Sequence, residues 1–290
     1  FTAADGPGVV ERFYREAQAA AGISHPNLCG VLDVDQVDGI HYLTMPVIEG
    51  TPLLSLIDRD HPWEPVQAVE LVRRLALALG VLHGKGLIHR DLKPGNVMIG
   101  PGGEPVLMDF GLARSFTEGS RRLTRTGVAL GTPAYMSPEQ LAGAHRSLGP
   151  GTDVYSLGVI LYQLLTGMLP FEGPVAAVYG QVLHAAPEPP SQLRPELECG
   201  LDGLCLRALA KTPAERYGSM AEFAGALDDW THSGGLSPPI PLAGTAPATT
   251  AAGVTRLVCP ACGKGLRVTD SVGGKGVKCP GCGASLGTAG

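Results

Sequence analysis

Residues 88–100 read IHRDLKPGNVMIG. Asp91 is followed by Lys93 and then by Asn96, and the apolar run Val97–Ile99 comes directly after. An acid, a cation and an amide are thus delivered by one short loop into what reads as a strand. Taken alone, Asp91 would read as a turn or surface acid. The downstream sequence changes that weighting, because three more stretches occur in a fixed order. These are MDFGLA at 108–113, GTPAYMSPEQ at 131–140 and TDVYSLGVILYQLLTG at 152–167.

Together these stretches resemble the serine/threonine protein kinase family in its bacterial branch, over roughly residues 8–230. The resemblance implies an α+β, bilobal protein-kinase-like fold, with a small β-rich lobe and a large helical one. It implies ATP and Mg²⁺ as cofactors and Ser/Thr-bearing proteins as substrates. Phosphoryl transfer needs a group that orients the attacking hydroxyl, hard oxygen ligands for Mg²⁺ and positive charge near the moving phosphoryl. By resemblance Asp91 takes the first role, Lys93 the last, and Asn96 and Asp109 the metal. His89 and Phe110 match packing positions, and Arg90 matches the Arg that meets a phosphorylated activation loop. Thr132 matches a Thr that contacts the catalytic Asp. Glu139 and Arg216 match a buried ion pair, and Asp153 a helix acid that holds the catalytic-loop backbone. Glu16 matches the helix carboxylate that pairs with an ATP-gripping Lys, its bland alternative being a surface acid. Met45 matches the gatekeeper, with Pro46 and Val47 as the hinge under adenine. Pro46 lacks an N–H, so hinge hydrogen bonding is expected from Val47.

Two parts of the family pattern do not occur. No GxGxxG precedes residue 16, and no Lys precedes Lys85. Glu16 is therefore expected to lack its Lys partner within this chain. With Phe1 as first residue, the reading is an N-terminally truncated kinase, a weakly active fragment. The competing class is an inactive pseudokinase scaffold. Intact Asp91, Asn96 and Asp109 argue against the scaffold, and the missing Lys argues for it. Between Gly111 and Ala134, Ser120, Thr124 and Thr126 sit among Arg121, Arg122 and Arg125. A phosphate there could pair with Arg90. Thr124 and Thr126 are the candidates for autophosphorylation, which self-association in trans would serve; an unmodified polar loop is the alternative.

The periodicity predicts helices over 8–22 and 65–83, hairpins over 31–48 (with Asp38-Gly39 at the turn) and 97–108, a long ordered loop over 109–150, and helices from 151 to 230. A Pro-rich break is expected at 187–195. The three predicted units are a kinase domain over 1–230, a flexible linker over 231–253 and a Cys-rich module over 254–290. His83 carries no motif and reads as a helix-end residue.

The 290 residues are 44% hydrophobic and 17% charged, which suits a packed core. No run of 18 or more apolar residues occurs, so no membrane span is expected. Net charge is −5, split as +4 over residues 254–290 and −9 over the rest. Four of the seven Cys form two CxxC pairs, Cys259/Cys262 and Cys279/Cys282, with 16 residues between them. That spacing resembles a zinc ribbon, in which four thiolates close a structural Zn²⁺ site. Disulfides or a redox CxxC are the alternatives. Metal-type cysteine usage also points to a reducing cytoplasm. Residues 254–290 contain no Phe, Trp or Tyr on which bases could stack, so nucleic acid is not the expected partner despite the positive charge. A docking or regulatory role fits the module better.

Overall fold

A computed structural model of the chain describes residues 7–109, 133–144, 148–197 and 199–233, together with short strands within 254–286. Helix α1 (Pro7–Ala21) buries Phe13, Ala17 and Ala20, spaced along one helical stripe. Strands β1 (Asp33–Val37) and β2 (Ile40–Thr44) form the expected antiparallel hairpin, shorter than predicted at both outer ends. Its two turn residues, Asp38 and Gly39, both have positive φ (51° and 77°). That is the backbone of a type I′ turn, which Asp-Gly favours. Tyr14 of α1 reaches across to β2, its hydroxyl 2.9 Å from Nδ1 of His41.

Strand β3 (Thr51–Pro52) joins β4 (Val97–Ile99) and β5 (Pro105–Leu107) in a three-stranded antiparallel sheet. The segment before β1 docks on β5. Leu107 N–H donates to the Asn27 carbonyl at 2.9 Å, and Cys29 N–H to the Leu107 carbonyl at 2.8 Å.

The helical part is built on α2 (Pro65–Gly84) and α4 (Pro150–Thr166), with α8 (Met220–His232) against α2 and α7 (Cys199–Ala208) against α4. Val69, Val72, Leu75, Leu79 and Leu82 give α2 a buried stripe at spacings of three and four. Helix α4 is buried on nearly every side, from Thr152 to Leu165, as its almost unbroken apolar sequence requires. Gly158 lets α7 approach: a Cβ there would lie 2.6 Å from the Ala208 Cβ. Helix α5 (Val175–His184) comes next in the chain.

Three expectations need correction. The stretch 109–150 is not simply a loop. Its described parts hold a 3-10 turn, Pro133–Tyr135, and a one-turn helix α3, Pro138–Leu141. Prolines at 133 and 138 interrupt the apolar periodicity while suiting first-turn positions. The Pro-rich break likewise contains a short helix α6 (Pro190–Leu193). The predicted domain end at 230 falls inside α8, which continues through His232; residues 234–253, where the linker was expected, lie outside the described ones. Beyond them, β6 (Val254–Val258) pairs with β7 (Gly265–Thr269), and β8 (Val277–Lys278) with β9 (Ser285–Leu286).

The expected Glu139–Arg216 pair is present and buried. Arg216 donates from both Nη atoms to the two Glu139 carboxylate oxygens at 2.8 Å each. Its remaining donors reach the carbonyls of Ala210, Gly151 and Lys211. Thr152 Oγ1 donates to Glu139 Oε1 at 2.9 Å. Burial pushes the Glu139 carboxyl up, but the Arg216 hydrogen bonds and charge outweigh it, so its pKa sits below the usual value. Removing one partner of such a pair strands the other in a dry site. Arg216→Ala is therefore expected to cost about 3–5 kcal/mol in urea unfolding. The double variant Glu139→Gln/Arg216→Met should lose clearly less, and equal losses would show that the stranded charge is not the cause.

Candidate active site

The β4–β5 register brings the candidate residues to one end of a hairpin. Val97 pairs with Leu107, so the residues just outside the pair, Asn96 and Met108, face each other. Met108 N–H donates to the Asn96 carbonyl at 2.8 Å. Asp109 is the next residue, and its φ of 55° turns the chain away from the strand. On the other strand the chain enters through a 3-10 turn, Pro94–Asn96. Asn96 and Asp109 thus end up together because two short strands share a register.

The loop before that turn is held side chain by side chain. The Lys93 ammonium lies 2.8 Å from Asp91 Oδ2. Asn96 Nδ2 donates to the Asp91 carbonyl at 2.8 Å and approaches its Oδ2 at 3.3 Å. With the amide nitrogen committed to Asp91, the Asn96 carbonyl oxygen is the atom left to meet a cation. An amide oxygen and the exposed Asp109 carboxylate are the hard donors that Mg²⁺ takes, so these residues fit that ion.

Arg90 has φ of 64°, a left-handed backbone that costs a non-glycine residue on the order of 1 kcal/mol or more. The buried Asp153 carboxylate secures it, as the resemblance implied. One oxygen accepts from Arg90 N–H and the other from His89 N–H, both at 2.9 Å. His89 itself is fully buried. Its Nε2 lies 3.1 Å from the Met108 carbonyl, and its Nδ1 accepts from Asp91 N–H at 3.3 Å. Burial pushes the imidazole below its ordinary pKa, although Asp153 and the Met108 carbonyl pull the other way. A carbonyl at Nε2 and an N–H at Nδ1 together suit the neutral ring with its proton on Nε2.

His83 corrects the sequence reading. It is not merely a helix-end residue: its Nε2 lies 2.8 Å from Asp153 Oδ2, so the last turn of α2 contributes a third contact to the same carboxylate. Gln140 is a second site residue that sequence reasoning misses. It reaches the Arg90 carbonyl at 2.7 Å. Neither could be found from periodicity, since both partners are more than 45 residues away in sequence.

The remaining candidates are placed less tightly. Glu16 lines a cleft of about 220 Å³ with Arg15, Lys85, His89 and Arg90. It is not without a partner there. Met45, Pro46 and Val47 lie in an irregular segment after β2, and Val47 is 93% exposed. The Cys29 thiol lies 3.7 Å from the Pro46 carbonyl, and burial and the Asp109 charge raise its pKa. Phe110, Thr132, Ser120, Thr124, Thr126 and all four CxxC cysteines lie outside the described residues. Among the described residues no cluster of three or more His, Cys, Asp or Glu is poised to hold a metal. No helix among them is long and apolar enough to cross a membrane.

Comparison with known proteins agrees with this arrangement. The protein kinase domain pattern matches residues 4–224. The serine/threonine-protein kinase pkn3 of Myxococcus xanthus is 42% identical over 231 residues, covering 75% of this chain and 41% of that protein. PknB of Mycobacterium leprae is 40% identical over 227 residues, covering 76% of this chain and 36% of its own length. A probable serine/threonine-protein kinase of Corynebacterium efficiens is 40% identical over 228 residues, covering 75% and 34%. The chain thus spans only about a third to two fifths of the length of these relatives. With the match covering most of its residues and the catalytic-loop geometry in place, the chain belongs to the protein kinase family.

Proposed function

We propose that the protein transfers the γ-phosphate of ATP to Ser or Thr hydroxyls of protein substrates, including those of its own activation segment in a second copy. The observation that carries this is the Asp91 carboxylate, held by Lys93 and Asn96. Asp91 orients the attacking hydroxyl and takes its proton as the new O–P bond forms and the bond to the ADP oxygen breaks. Lys93 keeps a positive charge beside that carboxylate, where it can also meet the transferred phosphoryl and distinguish Ser/Thr acceptors. Asn96 and Asp109 would hold Mg²⁺, which when bound offsets the negative charge of the phosphates. Thr132 would contact Asp91, and Met45 and Val47 would receive the adenine. In the protein as its gene encodes it, Asp91→Asn should lower phosphate transfer to a Ser/Thr peptide by about 10²- to 10⁴-fold with little change in melting temperature. An unchanged rate would leave the scaffold reading standing.

The neutral state of His89 gives the catalytic loop a pH limit. Its folded pKa is depressed, so its contribution to stability is complete above the unfolded value of about 6.5 and is lost as pH falls below it. Hydrogen exchange over residues 86–92 should therefore accelerate between about pH 7 and pH 5, whereas a flat profile would mean that the loop tolerates the charge.

For the C-terminal module we propose a structural Zn²⁺ on Cys259, Cys262, Cys279 and Cys282, in a docking or regulatory ribbon within a reducing cytoplasm. Supporting it, the first CxxC falls between paired strands β6 and β7, and the second between β8 and β9. Two hairpins carrying one CxxC each suit a four-thiolate site. Purified protein should release about one zinc per chain to a thiol-blocking reagent, detected with a metallochromic dye. Protein free of zinc, with these thiols paired as disulfides, would reject the site.

A further inference from the structure

The peptide between Arg90 and Asp91 is gripped from both sides. Its N–H, on Asp91, meets the His89 Nδ1 and carbonyl at 3.3 and 2.9 Å. Its carbonyl, on Arg90, accepts from Gln140 Nε2 at 2.7 Å. The same Gln140 accepts Ser137 N–H on its Oε1 at 3.0 Å. The two bonds together fix which end of the amide is oxygen. Gln140 therefore joins the first turn of α3, just after the 133–135 turn, to the peptide that sets the Asp91 backbone. Its neighbour Glu139 is locked to Arg216, so the side chain works from an anchored base.

We infer that Gln140 is a positioning residue for Asp91, coupling the seating of α3 to the orientation of the catalytic carboxylate. The backbone itself creates the need for such a grip. Arg90 is in the left-handed region, where the chain would relax if its carbonyl were released. Asp153 secures only the N–H side of that residue. Gln140 secures the other side, and it does so only while α3 is seated. This deepens the kinase reading and rests on it for the role of Asp91.

The two ends of the amide can be separated by substitution. Gln140→Glu keeps an acceptor for Ser137 N–H but has no donor for the Arg90 carbonyl. Gln140→Lys keeps a donor and loses the acceptor. In the protein as its gene encodes it, Gln140→Glu is expected to lower kcat about ten- to a hundredfold, with KM for ATP within about twofold, because misplacing a reacting group acts on the chemical step. Hydrogen exchange over residues 88–92 should speed up in this variant and stay near that of the parent in Gln140→Lys, which should also keep more of the kcat. Parental kcat and parental exchange in Gln140→Glu would overturn the inference, as would equal losses in both variants, which mean only that α3 has been damaged. Should Asp91→Asn prove to have no effect on transfer, the kinase reading fails, while the exchange comparison still decides whether Gln140 holds the loop.

Discussion

One buried carboxylate underlies the catalytic loop. Asp153 is fully buried in α4, and its two oxygens accept from the backbone N–H groups of His89 and Arg90 and meet Nε2 of His83. A charge in that position is tolerable only because donors surround it. The dependence also runs outward. Arg90 holds a left-handed backbone because Asp153 takes its N–H, and Asp91 comes directly after that turn. The rigidity of α4, packed on nearly every side, is thereby passed to the catalytic loop.

The site combines two kinds of precision. Asn96 and Asp109 are set by strand register, which allows no partial slip because a shift of one residue would turn every side chain to the opposite face. Asp91 and Lys93 follow a stem whose backbone is held at His89 and Arg90 by Asp153 of α4, itself met by His83 of α2, and by Gln140 of α3. The neutral, buried His89 links the systems, since it touches the Met108 carbonyl on the strand side and the Asp91 N–H on the loop side. Burial lowers the ring's pKa, and only a neutral ring can donate to one and accept from the other.

Much of this was legible in the sequence, for reasons that differ from residue to residue. The Asp-Gly turn at 38–39 was readable because only a few residues accept positive φ twice in succession. The Asp91–Lys93–Asn96 cluster was readable because it lies within six residues and recurs in a family. His83 and Gln140 were not, because their meaning depends on partners brought near only by the packing of α2 and α3 on α4. Helix α3 escaped for a local reason: four residues between prolines and glycines carry no measurable period.

Helix α3 shows how small an element can be and still matter. Its capping box is closed by Gln140, and adjacent side chains then leave in two directions. Glu139 goes inward to Arg216, whose other donors reach carbonyls of the α4 start and the α7–α8 connection. Gln140 goes to the catalytic loop. A four-residue helix has almost no intrinsic stability, because its nucleation cost is not recovered by internal hydrogen bonds. Its geometry must come from these side-chain anchors. The ion pair fixes where α3 stands, and the glutamine transmits that position to the reacting carboxylate.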